Sequence, residues 1–197
     1  MPDGILGGFF IEGVDMTTIV AVQYTDKVVF AADNQVTGDN GRIYHHPRME
    51  KITERGEYLI AGSGEIGPCD IAQHIWQPPK PTLKDRQDIY HFMITKVMPH
   101  LRQCLTDNGY DFNEGKGDGK VNDSRFNFLI AIGGEVFDVA DDCSICMSDD
   151  GIYGVGSGSS YAIGALHAGA KPLKALEIAA QLDANTSAPF LVKEQYK

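Results

Sequence analysis

Between Thr18 and Asp33 the chain carries two apolar runs, Thr18–Tyr24 (TIVAVQY) and Lys27–Asp33 (KVVFAAD), separated by the turn pair Thr25-Asp26. Both runs are short and apolar enough to be covered on both faces, and together with the turn they predict a hairpin. A further strand is expected at Tyr58–Ala61, ending in Gly62-Ser63-Gly64. From Gly64 to Gln77 (GEIGPCDIAQHIWQ) the pattern becomes helical, with Ile66, Ile71 and Ile75 among the apolar positions, and Pro78–Pro81 breaks it. Leu83–Leu105 then reads as a long amphipathic helix carrying Ile89, Phe92, Met93, Val97 and Leu101. Phe126–Ile132 and Glu135–Ala140 bracket Gly133-Gly134 as a second hairpin. A short strand at Gly151–Val155 and helices at Ser159–Ala168 and Pro172–Leu182 follow, and the tail from Ala184 is mixed.

Strands, two helices, strands and two helices in that order favour an α+β fold over alternating βαβ units. The arrangement that buries these strands on both faces is two antiparallel sheets stacked face to face, with helix pairs outside. Asn108–Asp123 is polar and glycine-rich, hence a loop. It has some calcium-loop flavour but lacks the required glycine and closing glutamate, and it has no G-K-S/T phosphate loop.

Composition narrows the functional classes. The chain has 197 residues, enough for one self-sufficient core. A formal net charge of −10 argues against a partner rich in phosphate. No apolar run approaches a membrane span, and the opening fifteen residues lack the basic start of a secretion signal. Cys69, Cys104, Cys143 and Cys146 form no disulfide framework, and the lone C-x-x-C at Cys143–Cys146 has no second pair to complete a zinc site. These features lead us to expect ordinary thiols and a cytoplasmic, reducing location.

Two adjacent threonines, Thr17 and Thr18, open the first strand. A threonine there serves as a plain strand former, or as a nucleophile if a neighbour takes its proton. The sequence Thr17-Thr18-Ile19-Val20-Ala21-Val22, then VVFAAD ending at Asp33, MEKI around Lys51, IAGSGE at Ile60–Glu65 and GVGSGSSYAIGAL at Gly154–Leu166 occur in that order. Together they resemble the proteasome β-subunit family, especially its bacterial HslV-like relatives. The resemblance implies the four-layer αββα sandwich of N-terminal nucleophile hydrolases over residues 17–197, preceded by a propeptide-like extension over residues 1–16.

The resemblance further implies a threonine endopeptidase whose nucleophile is Thr17, once its α-amine is free to act as base. Asp33 and Lys51 match the acid and lysine that support the hydroxyl, and Gly64 the backbone donor to the oxyanion. Ser157 and Asp183 match the pair near the amine, and Thr186 stands where the family usually has a further serine. Each has an ordinary structural alternative: surface charge for Asp33 and Lys51, a helix start for Gly64, a turn for Ser157. Val36, Met49, Gly62 and Ile66 map to the first substrate pocket, which implies a preference for large apolar side chains.

No metal or organic cofactor is implied. The implied partners are protein or peptide substrates, copies of the chain in a ring of six or seven, and an ATP-dependent unfoldase, with no nucleic acid and no membrane. An isolated subunit would then expose apolar helix faces such as Ile89, Phe92 and Met93. The chain departs from the family at Met16, where most cleaved precursors have glycine, in the segment before Lys51, which needs a small insertion, and at Pro189, which replaces a glycine-rich run. The residues ahead of Thr17 are either a propeptide or lie upstream of a true start at Met16. A relative that has lost catalysis and serves as a building block, and a small-molecule amidase of the same superfamily, are the competing readings.

Overall fold

A computed structural model describes residues 17–38, 41–45, 47–112 and 125–197. The expected extension at residues 1–16 and most of the loop at Asn108–Asp123 lie outside the described residues. Strands β1 (Ile19–Gln23) and β2 (Lys27–Asp33) form the predicted hairpin, closed by the Tyr24 amide donating to the Lys27 carbonyl at 2.8 Å. A small ribbon follows, β3 (Val36–Thr37) with β4 (Ile43–Tyr44). Next come β5 (Ile52–Arg55), β6 (Tyr58–Gly64) and helix α1 (Ile66–Asp70), which continues as a π turn over Ile71–Ile75. Helix α2 (Ile89–Phe92), a π segment (Met93–Val97) and α3 (Met98–Asp107) form one long rod. The remaining elements are β7 (Phe126–Ile132), β8 (Glu135–Ala140), β9 (Ile145–Cys146), β10 (Ile152–Val155), α4 (Ser159–His167), α5 (Pro172–Leu182) and β11 (Phe190–Tyr196).

Two antiparallel sheets result, one in the order β10-β1-β2-β11 and the other β5-β6-β7-β8-β9. Strand alternation then divides the apolar residues into three cores. Ile19, Ala21, Phe30 and Ala32 of the first sheet meet Leu59, Ala61, Leu129 and Ala131 of the second. On the outer face of the first sheet, Val20, Val22 and Ala31 meet Ala162, Leu166, Leu176 and Ala179 of α4 and α5. On the outer face of the second, Ile60, Phe126, Phe128 and Ile130 meet Trp76, Phe92, Met93, Val97 and Leu101. Every central strand is therefore covered twice, which is why these runs are almost continuously apolar. The four layers are those expected from the order of elements.

Several local expectations are corrected. The helix expected over Leu83–Leu105 begins only at Ile89. Thr82 and Asp85 close a local turn instead, with Thr82 N and Oγ1 both donating to Asp85 Oδ2, and Leu83 is 85% exposed. Asp88 is the cap, its carboxylate accepting from the His91 amide at 2.9 Å. Pro99 offers no N–H to the preceding turn, which widens so that the Met98 amide reaches back to Met93.

Ile89, Phe92 and Met93 form no exposed apolar face; all three are buried against the second sheet, and Tyr90 and Ile94 are the exposed apolar residues of this rod. In the helix expected from Gly64 to Gln77, Gly64 instead ends β6, and Cys69, Ala72 and Trp76 are buried while Ile66 and Ile75 are half exposed. Strands β5 and β11 were not expected. β11 (FLVKEQY) runs three apolar residues into three polar ones with no period-2 alternation of polarity, and it is held by pairing with β2 over seven residues. Cys143 sits in a turn with φ of 68° and Cys146 in β9, and all four cysteines are free thiols.

Candidate active site

Thr17 precedes β1, an inner strand of the first sheet, beside the end of β2, and it is 3% exposed. Its hydroxyl donates to Asp33 Oδ1 at 2.8 Å. The Thr18 amide donates to the same oxygen at 2.8 Å, and the Gln35 amide to Oδ2 at 2.9 Å. Lys51, just ahead of β5, places its ammonium 2.8 Å from Asp33 Oδ1 and in close hydrogen-bonding contact with the Thr17 hydroxyl. A fully buried carboxylate needs such company, because an ion removed from water without partners is costly. The hairpin β1–β2 thus brings residues 17 and 33 together, and the second sheet brings in residue 51.

Burial pushes the Lys51 ammonium below the ordinary lysine range, and the charge and hydrogen bond of Asp33 pull it back in part. The Gln73 side-chain amide, presented by the π turn after α1, donates to the Lys51 carbonyl at 2.6 Å. That contact anchors the lysine's backbone while its side chain reaches the hydroxyl.

On the other side of Thr17, Ser157 Oγ donates to Asp183 Oδ2 at 2.8 Å and lies 3.4 Å from the Thr17 carbonyl oxygen. Thr186 also donates to Asp183 Oδ2, and the hydroxyls of Thr18 and Thr186 are 2.5 Å apart. Gly156, with φ of +92°, turns the chain from β10 toward α4 directly over Thr17. A Cβ at Gly156 would lie 2.2 Å from the Thr17 carbonyl oxygen. Only glycine suits both that backbone and that proximity.

Thr17 and Lys51 open into a cavity of about 500 Å³. Val36, Met49, Gly62, Gly64 and Ile66, all singled out from the sequence, line it. Gly64 has φ of +100°, which turns β6 into α1. Gly62 leaves no spare space beneath the cavity, since a Cβ there would come within 2.7 Å of Cys69 Sγ and 3.1 Å of the Phe128 ring. Ile66 and Ile75 owe their exposure to this cavity, which both help to line. Ser157 and Asp183 do not line it and stand behind Thr17 instead.

Sequence reasoning missed much of the wall. Arg48, Glu50, Asp70, Gln73 and His74 add charge and polarity to a pocket expected to be apolar, with Glu50 held by Lys193 at 3.0 Å. The i, i+4 spacing of Ile66, Asp70 and His74 was the signal that could have placed the last two on the pocket side of the helix. Gln35 and Thr18 gave no chemical pattern of their own, because their contributions come partly through backbone amides. Among the described residues no group of three or more His, Cys, Asp or Glu is arranged to hold a metal ion, and no helix is long and apolar enough to cross a membrane.

Two stacked antiparallel sheets between helix pairs, with a threonine at the head of the first strand, constitute the fold of the N-terminal nucleophile hydrolases in its proteasome β-subunit form. No family model matches the chain, and no curated protein matches it by sequence. Solved structures do match. BPH from Thiobacillus denitrificans, in complex with epoxomicin, superposes with a TM-score of 0.66 at 22% identity, covering 91% of this chain and 98% of that one. Eukaryotic HslV from Trypanosoma brucei gives 0.59 at 17% identity over 92% and 100%. The Anbu complex from Pseudomonas aeruginosa, solved as a helical assembly, gives 0.61 at 14% identity over 91% and 81%. At these identities the likeness is one of fold.

Proposed function

We propose that the protein is a threonine endopeptidase that cleaves peptide bonds through an acyl-enzyme on Thr17. The observation that carries this reading is the contact set around one hydroxyl: Thr17 Oγ1 lies against both Asp33 and Lys51 and opens into the cavity. A strand-forming threonine needs neither a buried acid nor a buried lysine.

The chemistry starts from a free α-amine on Thr17, which at an ordinary pKa near 8 is partly neutral at physiological pH. It takes the hydroxyl proton, directly or through one water, while the Lys51 ammonium favours the alkoxide and Asp33 holds that ammonium in place. The oxygen attacks the scissile carbonyl, and the Gly64 amide stabilises the resulting oxyanion, a contribution of about 3 kcal/mol for one such donor. The amine returns its proton to the departing peptide amine, and water then hydrolyses the Thr17 ester by the same base. The cavity wall of Val36, Met49, Gly62 and Ile66 receives the side chain before the cleaved bond, with large apolar groups preferred. The working form is a homo-oligomer, a reading supported by the assembled state of the Anbu structure, and in this proposal an ATP-dependent partner in the cytoplasm feeds it with unfolded protein.

The competing reading is a subunit without catalysis. It is favoured by Met16, since residue 17 has an amide and not an amine until the bond before it is cut. The two readings separate in one experiment on protein from its native source. N-terminal sequencing should begin TTIVAV, and an epoxyketone, which bonds hydroxyl and amine together, should add one inhibitor mass at Thr17. The Thr17→Ala protein and the uncut chain should add none. Mature protein that starts at Thr17 yet neither labels nor cleaves any peptide, with a candidate unfoldase present, would leave the structural reading standing. Full activity on material starting at MPDG would end the N-terminal-threonine mechanism.

A further inference from the structure

We infer that Thr18 is a positioning residue for the reaction proposed above, on which this inference rests: its hydroxyl heads a buried relay that fixes the Asp183 carboxylate behind Thr17. Thr18 is fully buried and does not line the cavity, so it touches no substrate. Its backbone belongs to the Asp33 side of the site, with its amide on Asp33 Oδ1 at 2.8 Å and its carbonyl accepting from the Asp33 amide at 3.1 Å. Its side chain belongs to the opposite side, 2.5 Å from the Thr186 hydroxyl. One residue therefore joins the two carboxylates that flank Thr17.

The hydrogen bonds admit a single proton order. An ionised Asp183 can only accept, so Thr186 spends its one hydroxyl proton on Asp183 Oδ2. The proton between Thr18 and Thr186 must then come from Thr18. Ser157 supplies a second donor to the same Oδ2 at 2.8 Å, and its oxygen stands beside the Thr17 carbonyl. The relay runs from Thr18 through Thr186 to Asp183, and Ser157, also held on that carboxylate, lies 3.4 Å from the Thr17 carbonyl oxygen. Each bond in such a chain polarises the next in a low-dielectric interior. Without the first donor, Thr186 is left with a vacant acceptor position and a rotor no longer held in one orientation.

Gly158 gives independent support. Its backbone, with φ of −87° and ψ of 1°, is open to any residue. Yet a Cβ there would lie 2.1 Å from Thr18 Oγ1, 2.7 Å from Thr186 Oγ1 and 3.0 Å from Asp183 Oδ2. Glycine is required at this point by the space the three oxygens occupy, not by backbone shape.

The test uses the mature protein, its Thr17 N-terminus verified by mass, and a peptide that the wild type cleaves. Thr18→Val keeps the β-branched shape and removes the hydroxyl. We expect kcat to fall about tenfold, as for loss of a hydrogen bond in a charged network, with KM unchanged because the cavity wall is untouched. Thr18→Ser restores the hydroxyl and should return kcat to within about threefold of wild type, a rescue that turns on the donor alone. Thr186→Val cuts the next link without altering β1 and should reproduce the fall, which keeps the test decisive if Thr18→Val does not fold. A wild-type kcat in both valine variants, failure of serine to rescue, or a loss confined to KM would overturn the inference. A wild-type protein that cleaves nothing would sink the peptidase reading itself, which is a different outcome.

Discussion

Asp33 is the residue on which the site's electrostatics turn, and Asp33→Asn is the perturbation that measures it. The carboxylate is fully buried and accepts from the Thr17 hydroxyl, the Thr18 amide and the Lys51 ammonium on one oxygen and from the Gln35 amide on the other. An asparagine of the same shape must turn its NH₂ toward one of these donor sets, and it carries no charge for Lys51. With the Lys51 side chain only 10% exposed, its ammonium is left buried and uncompensated. Breaking a buried pair in this way costs about 3–5 kcal/mol, against a total stability of about 5–15 kcal/mol for an ordinary domain.

In urea the midpoint should therefore fall by about 2 M, taking a slope of about 2 kcal/mol per M. Adding Lys51→Met removes the stranded charge, so the double variant should recover at least half of the loss. The pH dependence gives the sign. Burial lowers Lys51 below its ordinary value and Asp33 opposes that shift, so Asp33→Asn depresses the lysine further. A lysine depressed in the folded state binds its proton more tightly when unfolded, so stability rises with pH between the folded pKa and the ordinary lysine value. The gap between Asp33→Asn and wild type should narrow as pH climbs through that window. A loss under about 1 kcal/mol at neutral pH, no recovery in the double variant, or a gap that widens with pH would refute the reasoning.

Gly156→Ala should be among the most damaging single substitutions, costing upward of about 2 kcal/mol in denaturant titration. It should also abolish labelling of Thr17, because its Cβ strikes the Thr17 carbonyl. A stable, fully reactive Gly156→Ala would show that Thr17 does not sit as described. Gly62→Ala should cost about 1–3 kcal/mol by overpacking against Cys69 and Phe128. In a peptide panel it should shift preference from large to small side chains before the cleaved bond; best cleavage by wild type after Arg or Asp would refute the pocket assignment. Light scattering at micromolar concentration should return several times the 21.5 kDa chain mass, and a monomer would contradict the proposed assembly.

The extent to which the site was legible follows the kind of interaction involved. Asp33 closes an apolar strand, and an acid in that setting signals a buried partner. Thr17, Lys51 and Gly64 were placed by motifs whose order along the chain matched a known pattern. In the charged wall, Asp70 and His74 had a signal in their i, i+4 spacing from Ile66, whereas Arg48 and Glu50 lie in the irregular segment before β5, which no periodicity orients toward a cavity. Thr18 and Thr186 are ordinary residues in sequence, separated by 168 positions, and only closure of the first sheet sets their hydroxyls side by side.

The same division holds for the fold. Strands β1, β2, β7 and β8 were determined by the sequence alone, because burial on both faces demands unbroken apolar runs and their turns carry local signals. Helix α5 likewise announces itself through its periodicity. Only the tertiary structure decided β11, whose sequence FLVKEQY lacks strand alternation and becomes a strand by pairing with β2. It also decided where the α2 rod begins, since a side-chain turn at Thr82 and Asp85 outcompetes the helix that periodicity favours. Local backbone preference is written in neighbouring residues and can be read from them. Pairing, register and the enclosure of Thr17 between Asp33, Lys51 and Gly156 depend on distant segments meeting, and those are fixed by how the two sheets pack.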